Sequence, residues 1–237
     1  MAKSRDLRRV WSAAAVVGSL LIASQALLAQ VPPSASEVRA FAPLHAAAHA
    51  GDGGRLAAAL KLDPQAINSR DGHGRTPLHV ATFARRRDAI RELAAAGANL
   101  GALDNDRYDA VTIAAVADDE ETLALLLSLG ASARLITSRY DGTALIAAAH
   151  LGHDGVVRQL IKAGAPLDHV NNLHWTAAIE AVVLGDGGPR HQACLRALVD
   201  AGADLTLADR DGRTPLQLAR SRGFSAMVRI LESAPRR

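Results

Sequence analysis

The sequence predicts an all-α solenoid: helix–turn–helix units stacked side by side and joined by short hairpin turns. Three observations carry that expectation. A helix-start pattern, Thr76-Pro77-Leu78-His79-Val80-Ala81, returns as Thr214-Pro215-Leu216-Gln217-Leu218-Ala219, with looser copies opening at Ala42, Asp109, Thr143 and Thr176. Gly-Ala pairs beginning at Gly97, Gly130, Gly164 and Gly202 stand 33, 34 and 38 residues apart. The chain is 49% hydrophobic but only 3% aromatic, which suits closely stacked small helices better than a bulky-cored barrel. A fixed period of this size means units that cannot cover their own apolar stripe and must hide it against a neighbour.

Taken in order, residues 1–29 read as an export segment. Lys3, Arg5, Arg8 and Arg9 form a basic start, and Val10 to Leu28 is an uncharged, mostly apolar run. Ser24, Ala26 and Ala29 offer small residues for cleavage, and Arg8-Arg9 admits a twin-arginine route. The alternative is an uncleaved span, Trp11 to Ala29, anchoring the chain in the inner membrane. Membrane contact is expected only in that case. On either reading the body of the protein is periplasmic or secreted. The formal charge of +3 comes from 27 basic and 24 acidic residues. The first 26 residues carry four bases against Asp6, so the body is near neutral and no nucleic-acid partner is expected.

Residues 30–39 form a leader in which Ser34 and Glu37 have capping-box spacing. Six units follow, at 40–68, 69–101, 102–135, 136–168, 169–206 and 207–233, with a tail at 234–237. The first is modified to face water, with Ala42-Pro43-Leu44-His45 and a Gly-rich bend at Gly51 to Gly54. In the second, Asp71-Gly72 supplies residues that tolerate left-handed angles. Thr76 caps the helix and Pro77 takes its first position, where a missing N–H costs nothing. Ile90, Leu93 and Ala94 then share a face. Asp109 replaces the cap of the third unit, ahead of Thr122, Leu123, Leu126 and Leu127. The fourth opens with Thr143-Ala144-Leu145-Ile146. The fifth carries an inserted loop, Gly185 to His191, which explains the 38-residue step. Its Cys194, alone in the chain, excludes an intramolecular disulfide and reads as a buried thiol among Leu195, Leu198 and Val199. The sixth ends in an amphipathic cap, Arg229 and Glu232 beside Met227, Val228, Ile230 and Leu231. Gly97 and its equivalents should close each second helix in a left-handed conformation.

At these matched starts and ends the chain resembles the ankyrin-repeat family. Thr76 to Ala81 meets the T-P-L-H-x-A signature in full, and Thr214 to Ala219 meets it except at Gln217. Gly152-His153-Asp154-Gly155-Val156-Val157 resembles the family's second-helix opening. The resemblance covers residues 40–233 and implies a non-catalytic scaffold that binds another protein through hairpin tips and the exposed side of the first helices. By analogy, it would protect, inhibit or chaperone an exported partner in a bacterial periplasm. His45, His79 and His153 fall at motif positions and are expected to be structural. A monomer is expected, with no cofactor.

Residue choice at the tips and groove is the handle on function. His73 and Arg75, Tyr108, Arg139 and Tyr140, and Asn171, Asn172, His174 and Trp175 lie on tips, together with the stretch Arg210 to Arg213. Aromatic and Arg side chains are preferred anchors, although Tyr140 and Trp175 equally suit packing over an adjacent tip. Seven residues into each first helix the chain presents His49, Phe83, Val116, His150, Val183 and Ser221, a column suited to lining a peptide groove. Glu180 occupies a slot filled elsewhere by Ala46, Val80, Ile113, Ala147 and Leu218. A carboxylate there needs a donor, and Arg190 or His191 is expected to reach back to it. The alternative is a small polar ligand or catalytic site formed by Glu180, Asp186 and His191 with His150 or His174. No metal site is expected: His150 and His153 have helical spacing but straddle Gly152, and the other free histidines, His169, His174 and His191, are isolated. Phosphate-loop, serine-elbow and zinc-protease motifs are absent from the sequence.

Overall fold

In the four inner units the first helix is nearly all buried, and its alanines allow that. Ala47, Ala48, Ala81, Ala114, Ala115, Ala148, Ala149 and Ala181 are all buried between neighbouring first helices. The computed structural model describes residue 30 and residues 32–234. The expected export segment, 1–29, and residues 235–237 lie outside the described part. A short helix α1 (Ala35–Ala40) comes first, then α2 (Pro43–Ala50), α3 (Gly53–Leu62) and a 3-10 turn (Pro64–Asn68). Four helix pairs follow: α4 (Pro77–Phe83) with α5 (Arg87–Ala95), α6 (Ala110–Val116) with α7 (Glu120–Ser128), α8 (Ala144–Leu151) with α9 (Asp154–Lys162), and α10 (Ala177–Val183) with α11 (Pro189–Asp200). The last pair is α12 (Pro215–Ser221) and α13 (Ser225–Glu232). First helices pack on first helices, and second helices lie against them as an outer layer. Among the described residues no helix is long and apolar enough to cross a membrane.

The predicted caps form. Thr76, Asp109, Thr143, Thr176 and Thr214 each accept the amide three residues on. His79 extends the cap into an inter-unit tie. Its Nδ1 accepts from the Thr76 amide at 3.1 Å and the Thr76 hydroxyl at 2.8 Å, so Nε2–H donates to the Tyr108 carbonyl at 2.9 Å. Burial pushes the His79 pKa down, in keeping with a neutral ring. His45 Nε2 likewise donates to the Arg75 carbonyl at 3.0 Å, but Ala42 stands where Thr76 stands, and His45 Nδ1 is buried without a partner. Second helices end as expected, with Gly97, Gly130, Gly164 and Gly202 at φ of 87°, 95°, 80° and 83°.

The hairpin turns differ from expectation in one respect. The left-handed residue of the second unit's turn is Gly74 (φ 72°), not Asp71-Gly72. Asp71 instead accepts the amides of His73 and Arg75, each at 2.9 Å. Asp104, Asn171 and Asp209 repeat this with the residues two and four positions on, at 2.8–3.0 Å. An Asx residue therefore starts these turns because its side chain replaces the ladder partner that the short turn denies the backbone.

A second recurring device closes the carbonyl ends of the first helices. Arg86 Nε donates to the His49 carbonyl at 3.0 Å, His153 Nδ1 to Ala115 at 2.9 Å, and His191 Nε2 to His150 at 2.8 Å. Arg222 donates to the carbonyls of Val183 and Gly185. Each donor belongs to the unit after the helix it closes, and donors at that end also suit the helix dipole. At the junction of the second and third units the sense reverses: Arg85 Nη2 reaches forward to the Ala117 carbonyl, and Arg87 pairs with Asp119 at 2.9 Å.

The leader helix is docked. Ser34 and Glu37 form the predicted capping box, and Glu37 bridges to Arg75 at 2.6 Å and to His73 at 2.8 Å. Hydrogen bonds from the Ser34 hydroxyl and amide, with Arg75, hold the Glu37 carboxyl down to about 2. Cys194 is buried as expected, and burial pushes its thiol up to about 12.

Candidate recognition surface

Backbone hydrogen bonds lock the tips into a row. Asn105 N donates to the His73 carbonyl, Ser138 N to Arg107 and Asn172 N to Tyr140, each at 3.0 Å. Asn105 and Asn172 add side-chain bonds to Gly72 and Arg139 carbonyls of the preceding tip. Across the third and fourth tips, Arg107 pairs with Asp141 at 2.8 Å and Arg139 with Asp106 at 2.9 Å. The row is thus positioned by main-chain bonds, reinforced by side chains.

Burial divides the predicted contact residues. His73, Arg139, Asn172, His174, Asp186 and Arg190 are exposed, while Phe83, Tyr140, Trp175 and His191 are half-buried. Five are buried and cannot serve as accessible contacts. Arg75 is turned inward against Asp71 at 2.7 Å and Glu37, and Tyr108 is 4% exposed. Both sit at the fifth position of an Asx turn, a position at which Trp175 and Arg213 stay half-buried, so the burial comes from their own neighbours and not from the turn. His150, Asn171 and Glu180 are the other three. The first-helix column accordingly narrows: His49, Phe83 and Val116 are half-buried, His150 and Val183 are closed over, and Ser221 is exposed.

Glu180 is 2% exposed, and the expected partner is corrected. Neither Arg190 nor His191 pairs with it. Its Oε2 accepts from His150 Nδ1 at 3.0 Å and its Oε1 from Asn171 Nδ2 at 3.0 Å. Arg190 instead bridges Asp118 at 2.7 Å and Asp154 at 3.4 Å. His191 bonds to Asp186 Oδ1 at 2.8 Å and caps the fourth unit's first helix. The proposed polar cluster is therefore two separate systems, one internal and one a loop tether, with His174 on neither. Both Glu180 oxygens are engaged, so the carboxylate satisfies the need for pairing on burial. A concavity of about 1020 Å³ lies at the C-terminal end, against Val199, Leu205, Leu216 and Leu231, and none of the Glu180 group lines it. Among the described residues no group of three or more His, Cys, Asp or Glu is placed to hold a metal.

Two features of this surface were not anticipated. Ile136 (46% exposed) and Val170 (42%) are large apolar side chains left open just before the fourth and fifth turns. Arg107, Asp141 and His174 adopt φ of 66°, 52° and 65° at the position held by Gly74 and Gly212 in the second and sixth units. Non-glycine residues are costly there.

Residues 44–137 and 111–209 match the family model for ankyrin repeats (3 copies). The chain is 32% identical over 189 residues to the ankyrin repeat protein YahD of Escherichia coli (strain K12), covering 79% of this chain and 93% of that protein. An ankyrin repeat domain from Acinetobacter baumannii AYE, solved by crystallography, is 42% identical, with a TM-score of 0.76 over 81% of this chain and 97% of that one. The ankyrin repeat domain of Bcl-3, a member of the IkappaB protein family, is 26% identical, with a TM-score of 0.72 over 83% of this chain and 87% of that one.

Proposed function

The chain belongs to the ankyrin-repeat family, whose members are in general non-enzymatic protein-interaction modules, and from that premise we propose that it is an exported scaffold binding one protein partner through its hairpin-tip row and the open part of its first-helix groove. The observation that carries this reading is the backbone-locked row of tips. It offers Arg139, Asn172, His174 and the flanks of Tyr140 and Trp175 on a support that costs little ordering entropy on binding. Aromatic and Arg side chains on a rigid surface are the composition that anchors interfaces. The scaffold works as a monomer, without catalysis of its own. Full engagement of Glu180 argues against a carboxylate acid or base there.

Affinity capture from the exported fraction tests the reading, comparing the parent chain with Tyr140→Ala/Trp175→Ala. Loss of a specific partner from the double variant is expected. Equal recovery of every partner removes the tip row from the proposal. N-terminal sequencing of the fractionated protein tests export: a mature end near residue 30 is expected, and an intact Met1 end in the cytoplasm overturns it.

A further inference from the structure

The inserted loop of the fifth unit is tied to three other units, and one of those ties skips a neighbour. The seals on helix ends and the bonds between tips join adjacent units. Arg190 reaches further. Its Nη2 donates to Asp118 Oδ2 of the third unit at 2.7 Å, across 72 residues, and its Nε to Asp154 Oδ1 of the fourth at 3.4 Å. The rest of the loop grips the units on either side. His191 spans the His150 carbonyl of the fourth unit and Asp186 Oδ1 of the loop, at 2.8 Å each. From the sixth unit, Arg222 donates to the Gly185 carbonyl at 3.1 Å and lies over Phe224, 4.7 Å from the ring centroid.

Two further observations show that the array is shaped around this loop. Gly152 stands where the second and third units carry Arg85 and Asp118, and a Cβ there would come within 3.0 Å of the His191 ring. A Cβ on Gly187 would come within 2.6 Å of Phe224. Both places are kept bare so that the loop can lie close. Asp118, for its part, depends on the link. It is held at φ 52°, and its Oδ1 is buried without a hydrogen bond. His153 Nδ1 stands 3.9 Å away and gives its proton to the Ala115 carbonyl, so Arg190 is the donor that satisfies this carboxylate.

We propose that the insert is a clasp that makes the third, fourth and fifth units open as one block. The stability of a solenoid is otherwise a sum of unit terms and neighbour interfaces; the Arg190–Asp118 pair adds a link between units two steps apart. A few extra residues in a surface loop cost little closure entropy, so the link is obtained cheaply. A ligand-binding loop would turn free polar groups to solvent, whereas Asp186, Arg190 and His191 are all engaged within the array. The tips lead into the first helices and the clasp lies beyond their C-terminal ends, so the helices that follow Tyr140 and Trp175 are held at both ends.

A double-mutant cycle on Asp118 and Arg190 in the full chain tests the clasp, read by urea melts and amide exchange. Arg190→Gln should raise the unfolding constant about fivefold more in the parent than in the Asp118→Asn background, the upper end for a partly exposed ion pair. Comparing within each background cancels the effect of asparagine on the strained backbone. Amide exchange in Arg190→Gln should quicken in α7 of the third unit about as much as in α9 of the fourth. Equal factors in the two backgrounds, or exchange that quickens less at each step away from the fifth unit, would overturn the clasp, since neighbour contacts alone give that pattern. Neither readout involves a captured partner, so the clasp and the scaffold reading fail separately.

Discussion

Replacing Ala42 by Thr should stabilise the N-terminal unit, and the structure fixes the size of the effect. In the second unit the Thr76 hydroxyl donates to His79 Nδ1 at 2.8 Å and closes the capping box. In the first unit the same slot holds Ala42, and the lone pair of His45 Nδ1 is buried with nothing to accept. Ala42 has φ −58° and ψ 156°, close to the −74° and 162° of Thr214, so the backbone already suits a threonine cap. An N-cap hydroxyl is worth about 1 kcal/mol, and satisfying a buried acceptor adds about 1 kcal/mol more. The expected gain is about 2 kcal/mol. For a chain of this size that raises Tm by about 4–8 °C if the array melts cooperatively. Calorimetry reads the whole, and amide exchange of α2 reads the unit itself, which matters because repeat arrays need not unfold as one. Ala42→Val, the isostere without the hydroxyl, separates hydrogen bonding from packing. If Val matches Thr, or if Thr leaves Tm within about 1 °C of the parent, the cap argument is wrong.

Three other outcomes follow from charged side chains. Burial raises the pKa of Asp109, whose Oδ2 has no partner, so its contribution to stability is greatest at low pH and is lost as pH rises through the raised value. Asp109→Asn keeps the cap and should gain about 1 kcal/mol in urea melts at pH 7 and less at pH 4. A gain independent of pH would show that the carboxylate charge is not the cause. Glu37 titrates in the opposite sense. Its depressed pKa stabilises α1 docking above the ordinary carboxylate range, and the contribution is lost as pH falls through about 2. Glu37→Gln should therefore flatten the Tm profile between pH 4.5 and 2; an unaltered profile would count against docking by this pair. His150→Leu strands the Glu180 carboxylate and should cost about 3–5 kcal/mol, while His150→Leu/Glu180→Leu should recover most of it. Additive losses in that double-mutant cycle would deny the coupling.

Local chemistry was legible in the sequence. Thr76, Asp109 and the Gly97 series act within three residues of themselves, so their roles needed no knowledge of neighbours. Direction was harder. Arg75 and Tyr108 stand on tips, as the spacing predicts, but their side chains are buried, and composition cannot reveal that. Distance was harder still. Glu180 was recognisable as a charge needing a donor, yet its partners lie nine residues back in the turn and 30 residues back in the preceding unit. Nearby Arg190 and His191 were the natural guess by proximity in sequence. They are drawn away by Asp118, Asp154 and Asp186.

The side chains that seal the helix ends at Ala115, His150 and Val183 all arrive from the copy that follows. The array therefore has a polarity that its near-identical units conceal. A chain emerging N-terminus first completes these helices only when the successor of each has been made. Deleting copies from the C-terminal side leaves an open carbonyl end on a helix that remains, whereas deleting them from the N-terminal side takes the helix and leaves its seal idle. Shortened versions of this solenoid should tolerate loss at one end far better than at the other.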